Sequence, residues 1–123
     1  MTAARSEGAS LPRAERLREH AEFQRLFRGG ARLERECFVL LWTPAPGPRA
    51  AAFVAGRRLG GSVLRNRARR RLREAYRRQR GLVSGGGLRL CFVARRQAVE
   101  APFAQLLSEV AEALGYAARR LAS

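Results

Sequence analysis

The sequence predicts a small α+β domain, one sheet with about three helices packed against it. Two stretches carry apolar residues at helical spacing: Leu64, Ala68, Leu72, Ala75 and Tyr76, then Phe103, Leu106, Leu107, Val110 and Leu114. Between and around them lie short apolar runs rich in strand formers at 37–42, 50–55 and 88–94, separated by proline and glycine clusters. No repeat links these units, and their order is helix, hairpin, helix, strand, helix. A chain of 123 residues has room for one domain with a modest core.

Residues 1–12, MTAARSEGASLP, hold no hydrophobic segment that could act as a secretory signal, and read as a loose tail. The folded domain is expected over 13–123. Its first helix is expected over 21–28, where Phe23, Leu26 and Phe27 share a face and Gly29 and Gly30 stop it. The run Cys37-Phe-Val-Leu-Leu-Trp42 reads as a strand closed by the breakers Thr43-Pro-Ala-Pro-Gly-Pro48. Residues 50–55 read as its hairpin partner across that loop, and an edge segment near 31–33 is weakly marked. The turn Gly56-Arg-Arg-Leu-Gly-Gly61 leads into a second helix with Ser62 as candidate N-cap and an end near Gly81. A glycine-rich connection over 82–87 precedes a buried strand at 88–94. The last helix is expected over about 102–121, with Pro102 in its first turn and Gly115 a break before its end.

Charge dominates the functional reading. The formal net charge is +15, and nine of the sixteen residues in Arg65-Asn-Arg-Ala-Arg-Arg-Arg-Leu-Arg-Glu-Ala-Tyr-Arg-Arg-Gln-Arg80 are arginine. At ~100° per residue, Asn66, Arg69, Arg70, Arg73 and Arg77 cluster away from the apolar stripe, with Arg65 and Arg67 flanking it. Solvated faces usually mix both signs. Like charge at this density repels itself unless a polyanion takes it up, which points to a phosphate-rich ligand. No apolar run approaches the ~20 residues of a membrane span.

Catalytic chemistry is not legible. His20 is the only histidine, and the glutamates stand singly among arginines. Cys37 and Cys91 lie in apolar runs, as reduced core thiols of a cytoplasmic protein would, and one histidine with two cysteines cannot build a zinc site. The glycines before the arginine helix lack the lysine and spacing of a P-loop. Arginines for a backbone beside aromatic rings for unstacked bases suit single-stranded RNA. Phe23 and Phe27 fit that role or plain core packing, and a ring at the rim of a cleft does both.

Four ordered blocks carry a family resemblance: RLREHAEFQRLFRGG (16–30), ECFVLLW (36–42), AGRRLGGSVLRNRARRRLREAYR (55–77) and LCFVARRQA (90–98). Together they resemble the bacterial ribonuclease P protein component from about 11 to 121. Their centre is Arg65-Asn66-Arg67 on a basic helix behind a basic-basic-apolar-Gly turn. The resemblance implies a two-layer sandwich with a mixed sheet, similar to a ribosomal-protein domain. It also implies a left-handed β-α-β crossover, against the usual rule.

The implied function is that of a cytoplasmic helper subunit. It would join the catalytic RNA of ribonuclease P as a monomer, 1:1, and assist removal of the 5′ leader from precursor tRNA. The required Mg2+ would be held mainly by the RNA. Carried over by position, Arg65, Asn66, Arg67, Arg69, Arg70 and Arg73 should face that RNA, with Arg57 and Arg58 beside them. Phe23, Phe27, Val39 and Leu41 should line the cleft for the leader. Leu41 departs from a common tyrosine, Gly56 from a serine and Gly61 from an asparagine. Arg71 replaces an aliphatic residue, and its guanidinium is expected to snorkel outward as a further RNA contact.

Overall fold

A computed structural model describes residues 28–79 and 87–122. Strands β1 (Ala31–Glu34), β2 (Phe38–Pro44), β3 (Ala50–Val54) and β4 (Leu88–Ala94) form one sheet in the order β1-β2-β4-β3. The first two ladders are antiparallel and β3 runs parallel to β4, so the sheet is mixed. Helix α1 (Ser62–Gln79) joins β3 to β4, and α2 (Gln97–Glu100) and α3 (Phe103–Ala122) follow. Arg28 and Gly29 are helical and the chain leaves the helix at Gly30. The rest of the expected first helix, with His20, Phe23 and Phe27, lies outside the described residues, as do the tail at 1–12 and the connection at 80–86.

The expected hairpin between 37–42 and 50–55 does not form, because β4 lies between the two strands. Strand content explains the order. β4 is apolar on both faces, with Leu88, Leu90 and Phe92 on one and Cys91 and Val93 on the other, and so suits a central place. The alanine-rich β3 takes the edge. The proline-rich loop bonds to the approach of β4 instead. Ala45 N–H donates to Gly87 O and Gly87 N–H to Gly47 O, both at 2.9 Å. Arg89 adds bonds to the carbonyls of Pro48 (2.9 Å) and Pro46 (3.3 Å). The unit β3-α1-β4 is therefore a crossover between neighbouring parallel strands, the connection to which the left-handed expectation applies.

The weakly marked edge segment is a true strand, pairing Ala31 with Trp42 and Glu34 with Val39. Two helical details differ from the sequence reading. Gly115 does not break α3, because Leu106, Val110, Leu114 and Ala117 are buried along the whole helix and outweigh the ~1 kcal/mol propensity cost of one glycine. A separate short helix, α2, precedes it and has no periodic signal of its own.

Strand alternation sends Phe38, Leu40, Trp42, Leu90 and Phe92 to the face that packs on Ala68, Leu72, Ala75 and Tyr76 of α1 and on Leu106, Val110 and Leu114 of α3. Aromatic rings tie the layers: Phe92 meets Phe38 edge-on at 5.2 Å and stacks on Phe53 at 5.5 Å, and Phe53 meets Tyr76 at 5.7 Å. Glu109, 8% exposed, accepts the N–H of Cys37 at 2.9 Å and a bond from Gln105 Nε2 at 2.9 Å, anchoring the start of β2 to α3. Arg71 corrects the expectation of an outward guanidinium, which instead turns inward onto backbone carbonyls.

The turn into α1 depends on one glycine. Gly60 has φ +142°, and a Cβ there would lie 2.7 Å from Leu64 Cδ1. Gly61 has open space around it, and its carbonyl accepts the Arg65 N–H at 3.0 Å, so the cap position falls on Gly61 and Ser62 is the first helical residue. Gly60→Ala should cost about 1–3 kcal/mol and lower Tm by several degrees, while Gly61→Ala should cost under about 1 kcal/mol. Paired thermal melts of the two variants check this.

Candidate nucleic-acid interface

The apolar stripe of α1 faces the sheet, so its remaining surface is presented outward. Asn66, Arg67, Arg70 and Arg73 are exposed, and Arg65 and Arg69 are partly covered. Arg65 Nε is enclosed without a hydrogen-bond partner, at the rim where the charged face meets the core. Arg69 bonds Asn66 Oδ1, which holds the two side chains together on the surface. Arg73 lies over the Phe53 ring at 5.6 Å, a cation–π contact that braces it against the sheet edge.

The helix divides its charge along its length. Glu74 accepts from Arg77 Nε (3.0 Å) and Nη2 (2.7 Å) and from Arg78 Nε (2.8 Å). Those bonds, the Arg77 pair first, hold its carboxyl down to about 2. Arg78 also lies 5.2 Å from the Phe103 ring. Farther up the helix the compensation stops. Among the described residues, no ion pair reaches Arg57, Arg58, Arg65, Arg67, Arg69 or Arg70. The structure thus gathers six of the arginines singled out from the sequence at the N-terminal end of α1 and the turn before it, with their charge uncompensated.

The sheet face turned away from α1 and α3 carries Val39, Leu41, Ala52, Val54, Cys91 and Val93. Val39 is half-buried, and Leu41 is only 5% exposed. Both are on the face expected for a cleft, with Val39 directly opposite Val93. Phe23 and Phe27 lie outside the described residues. Burial pushes the Cys91 thiol up to about 12, so it stays protonated and inert.

Where that face reaches the C-terminal ends of β3 and β4, a cavity of about 350 Å³ opens, lined by Gly56, Arg57, Arg58, Leu59, Val93, Ala94, Arg95 and Arg96. Four arginines thus rim a floor of Val93, Ala94 and Leu59, a shape that takes a phosphate at the edge and a base or ribose at the bottom. Sequence reasoning missed Arg95 and Arg96 as site residues. The signal available was their position: a basic pair directly after a buried strand, where open sheets with parallel strands place ligands. Among the described residues, no group of three or more His, Cys, Asp or Glu could hold a metal ion. No described helix is long and apolar enough to cross a membrane.

Comparison with known proteins places this geometry. The Ribonuclease P family model matches residues 11–118. The ribonuclease P protein component of Chloroflexus aggregans is 40% identical over 103 residues, covering 81% of this chain and 75% of that protein. That of Citrifermentans bemidjiense is 32% identical over 108 residues, covering 87% and 91%. The ribonuclease P protein of Thermotoga maritima superposes with a TM-score of 0.70 at 28% identity, over 81% of this chain and 94% of that one. The Staphylococcus aureus protein shares the fold with a TM-score of 0.72 at 22% identity, over 85% and 96%. Agreement in sequence over most of the length, on a shared sheet-and-helix framework, makes this chain a member of the ribonuclease P protein family.

Proposed function

We propose that this protein binds the catalytic RNA of ribonuclease P and the 5′ leader of precursor tRNA, and so assists RNA-catalysed removal of the leader. The observation that carries the proposal is the cluster of uncompensated arginines at the start of α1 and the turn before it, beside an arginine-rimmed cavity that continues an apolar sheet face. Arg65, Asn66, Arg67, Arg69, Arg70 and Arg73 serve the folded catalytic RNA. Their guanidinium forks match phosphate oxygens bidentately, and at this density they release many counterions.

The leader, being single-stranded, follows the other surface. Phe23, Phe27 and Val39 supply its apolar and stacking side, with the buried Leu41 on the same sheet face as Val39. The strand's backbone then enters the cavity, lined by Arg95 and Arg96 together with Arg57 and Arg58. Arg57 and Arg58 stand where the two surfaces meet, so both RNAs come within their reach. With leucine in place of a common tyrosine, position 41 offers no phenol to a base, so leader base preference is weaker than, or different from, that of relatives with the tyrosine.

The chemistry belongs to the RNA. The Mg2+ that the holoenzyme requires would be held mainly by that RNA and would supply the activation of water. The protein contributes positive charge and a track for the leader. It acts as a monomer in a 1:1 complex in the cytoplasm.

Reconstitution tests the proposal. The protein with its cognate catalytic RNA should cleave precursor tRNA at a magnesium concentration where the RNA alone is inactive, and precursor affinity should rise as the leader lengthens by a few nucleotides. An unchanged magnesium requirement would refute it. Replacing Arg65 and Arg67 with neutral residues should weaken assembly and flatten its salt dependence, each lost phosphate contact lowering the slope by roughly 0.7 to 0.9. Glu74→Gln should do the reverse, since it releases Arg77 and Arg78. Titrating catalytic-RNA affinity against salt for the three proteins reads both effects.

A further inference from the structure

Arg71 spends its guanidinium on protein backbone. Its Nη1 donates to the carbonyls of Ala98 (2.8 Å) and Val99 (2.7 Å), and its Nη2 donates to that of Ala101 (2.6 Å). These carbonyls close α2, a four-residue helix too short to persist alone. The final carbonyls of any helix lack partners within it and carry partial negative charge, and a guanidinium supplies a fork of donors that matches them. The same group lies 5.8 Å from the ring of Phe103, the first residue of α3. Burial and the neighbouring Arg67 lower the Arg71 pKa from its usual value, the mark of a cation drawn in from solvent.

The clasp reaches the cavity through a single turn of backbone. Ala98 N–H donates to Arg95 O at 2.9 Å, and Val99 N–H donates to Arg96 O at 3.0 Å. The peptide unit joining Ala98 to Val99 is therefore held at both ends, its oxygen by Arg71 and its N–H by the carbonyl of Arg96. Such chains polarise and stiffen one another. Arg96 is the residue that caps α2, and Arg95 and Arg96 line the cavity together with Arg57 and Arg58. The side chains of Arg95 and Arg96 are otherwise held at the surface. Arg96 has an exposed contact with Glu100 at 3.8 Å, and Arg95 donates to Arg35 O at 3.0 Å and lies 3.8 Å from Glu34, while its backbone N–H bonds Cys37 O at 2.9 Å.

We propose that Arg71 is a positioning residue for precursor recognition: by clasping α2 it fixes Arg95 and Arg96 in the cavity they line with Arg57 and Arg58, and so sets how tightly the cavity grips a single-stranded RNA backbone. This rests on the reading of the cavity as part of the leader track. Arg71 itself touches no RNA. Its effect is confined to the precursor and leaves the grip of α1 on the catalytic RNA alone.

The test uses the holoenzyme assembled from full-length protein and its catalytic RNA. The ratio of affinities for leader-bearing and leaderless tRNA is measured for the parent protein, Arg71→Met, Arg71→Lys and Arg96→Ala. Each protein is also melted and titrated against the catalytic RNA. Arg71→Met should lower the leader-dependent ratio roughly 3- to 10-fold, the scale of one weakened charge-assisted hydrogen bond. Catalytic-RNA affinity and its salt slope should match the parent. Arg71→Lys, with a charge and three donors, should recover part of the loss. A lower melting temperature with an unchanged ratio would overturn the proposal, leaving Arg71 merely structural. An unchanged ratio in Arg71→Met together with a fall in Arg96→Ala would overturn it while sparing the cavity. An unchanged ratio in Arg96→Ala would remove the cavity reading itself, and this proposal with it. If Arg71→Met does not fold, Arg71→Gln, neutral but still a donor, takes its place with the same outcomes.

Discussion

Burial of one narrow apolar stripe on α1 is the interaction on which the rest of this molecule depends. A helix with eight arginines in eighteen residues is driven apart by its own charge. It persists because Ala68, Leu72, Ala75 and Tyr76 are fully buried against the sheet and α3. Tyr76 and Phe92 form the centre of that contact with Phe53 and Phe38, and a buried aromatic side chain of this kind is worth about 3–5 kcal/mol against truncation. Packing on that scale offsets several units of surface repulsion, each worth a few tenths of a kcal/mol in water. The fold holds in place a charged surface that would not hold itself.

That surface is graded. Towards the C-terminal end, Glu74 ties down Arg77 and Arg78, and Phe103 receives Arg78. In the middle, Arg71 is turned into the protein and Arg73 is braced on Phe53. The turn and the first half of the helix keep their charge unspent, and the cavity opens beside them. Among the described residues, unpaired positive charge is therefore concentrated at one corner, near where the parallel strands end. A polyanion docking on the turn and the first half of the helix meets arginines that no internal ion pair holds.

Much of this was legible in the sequence, and the limits have physical causes. The stripes of α1 and α3 announced themselves because helical periodicity survives any tertiary arrangement. Strands β2, β3 and β4 were marked by composition, but their order was not. Alternation tells which side chains share a face, not which strand lies next to which, so the hairpin expectation failed at β4. The short α2 left no trace because four residues carry no period, and it is held by burial of Ala98 and Val99 and by bonds from Arg71, twenty-six positions upstream of its first residue. The arginines at 57, 58, 65, 67, 69, 70 and 73 could be named from charge and resemblance alone. Arg95 and Arg96 could not, since only the fold brings the end of β4 beside the turn before α1.

The insertion of β4 between β2 and β3 has a consequence for how the chain is made. A ribosome delivers β1, β2 and β3 first, and these cannot become one sheet until another forty residues have emerged, since among the described strands β3 pairs only with β4. During that interval the whole polybasic segment is synthesised with its apolar side uncovered. The nascent chain therefore passes through a stage at which its RNA-seeking charge is complete but its scaffold is not. Closure of the sheet therefore waits on a strand pairing that is distant in sequence, and the core is complete only when α3 follows.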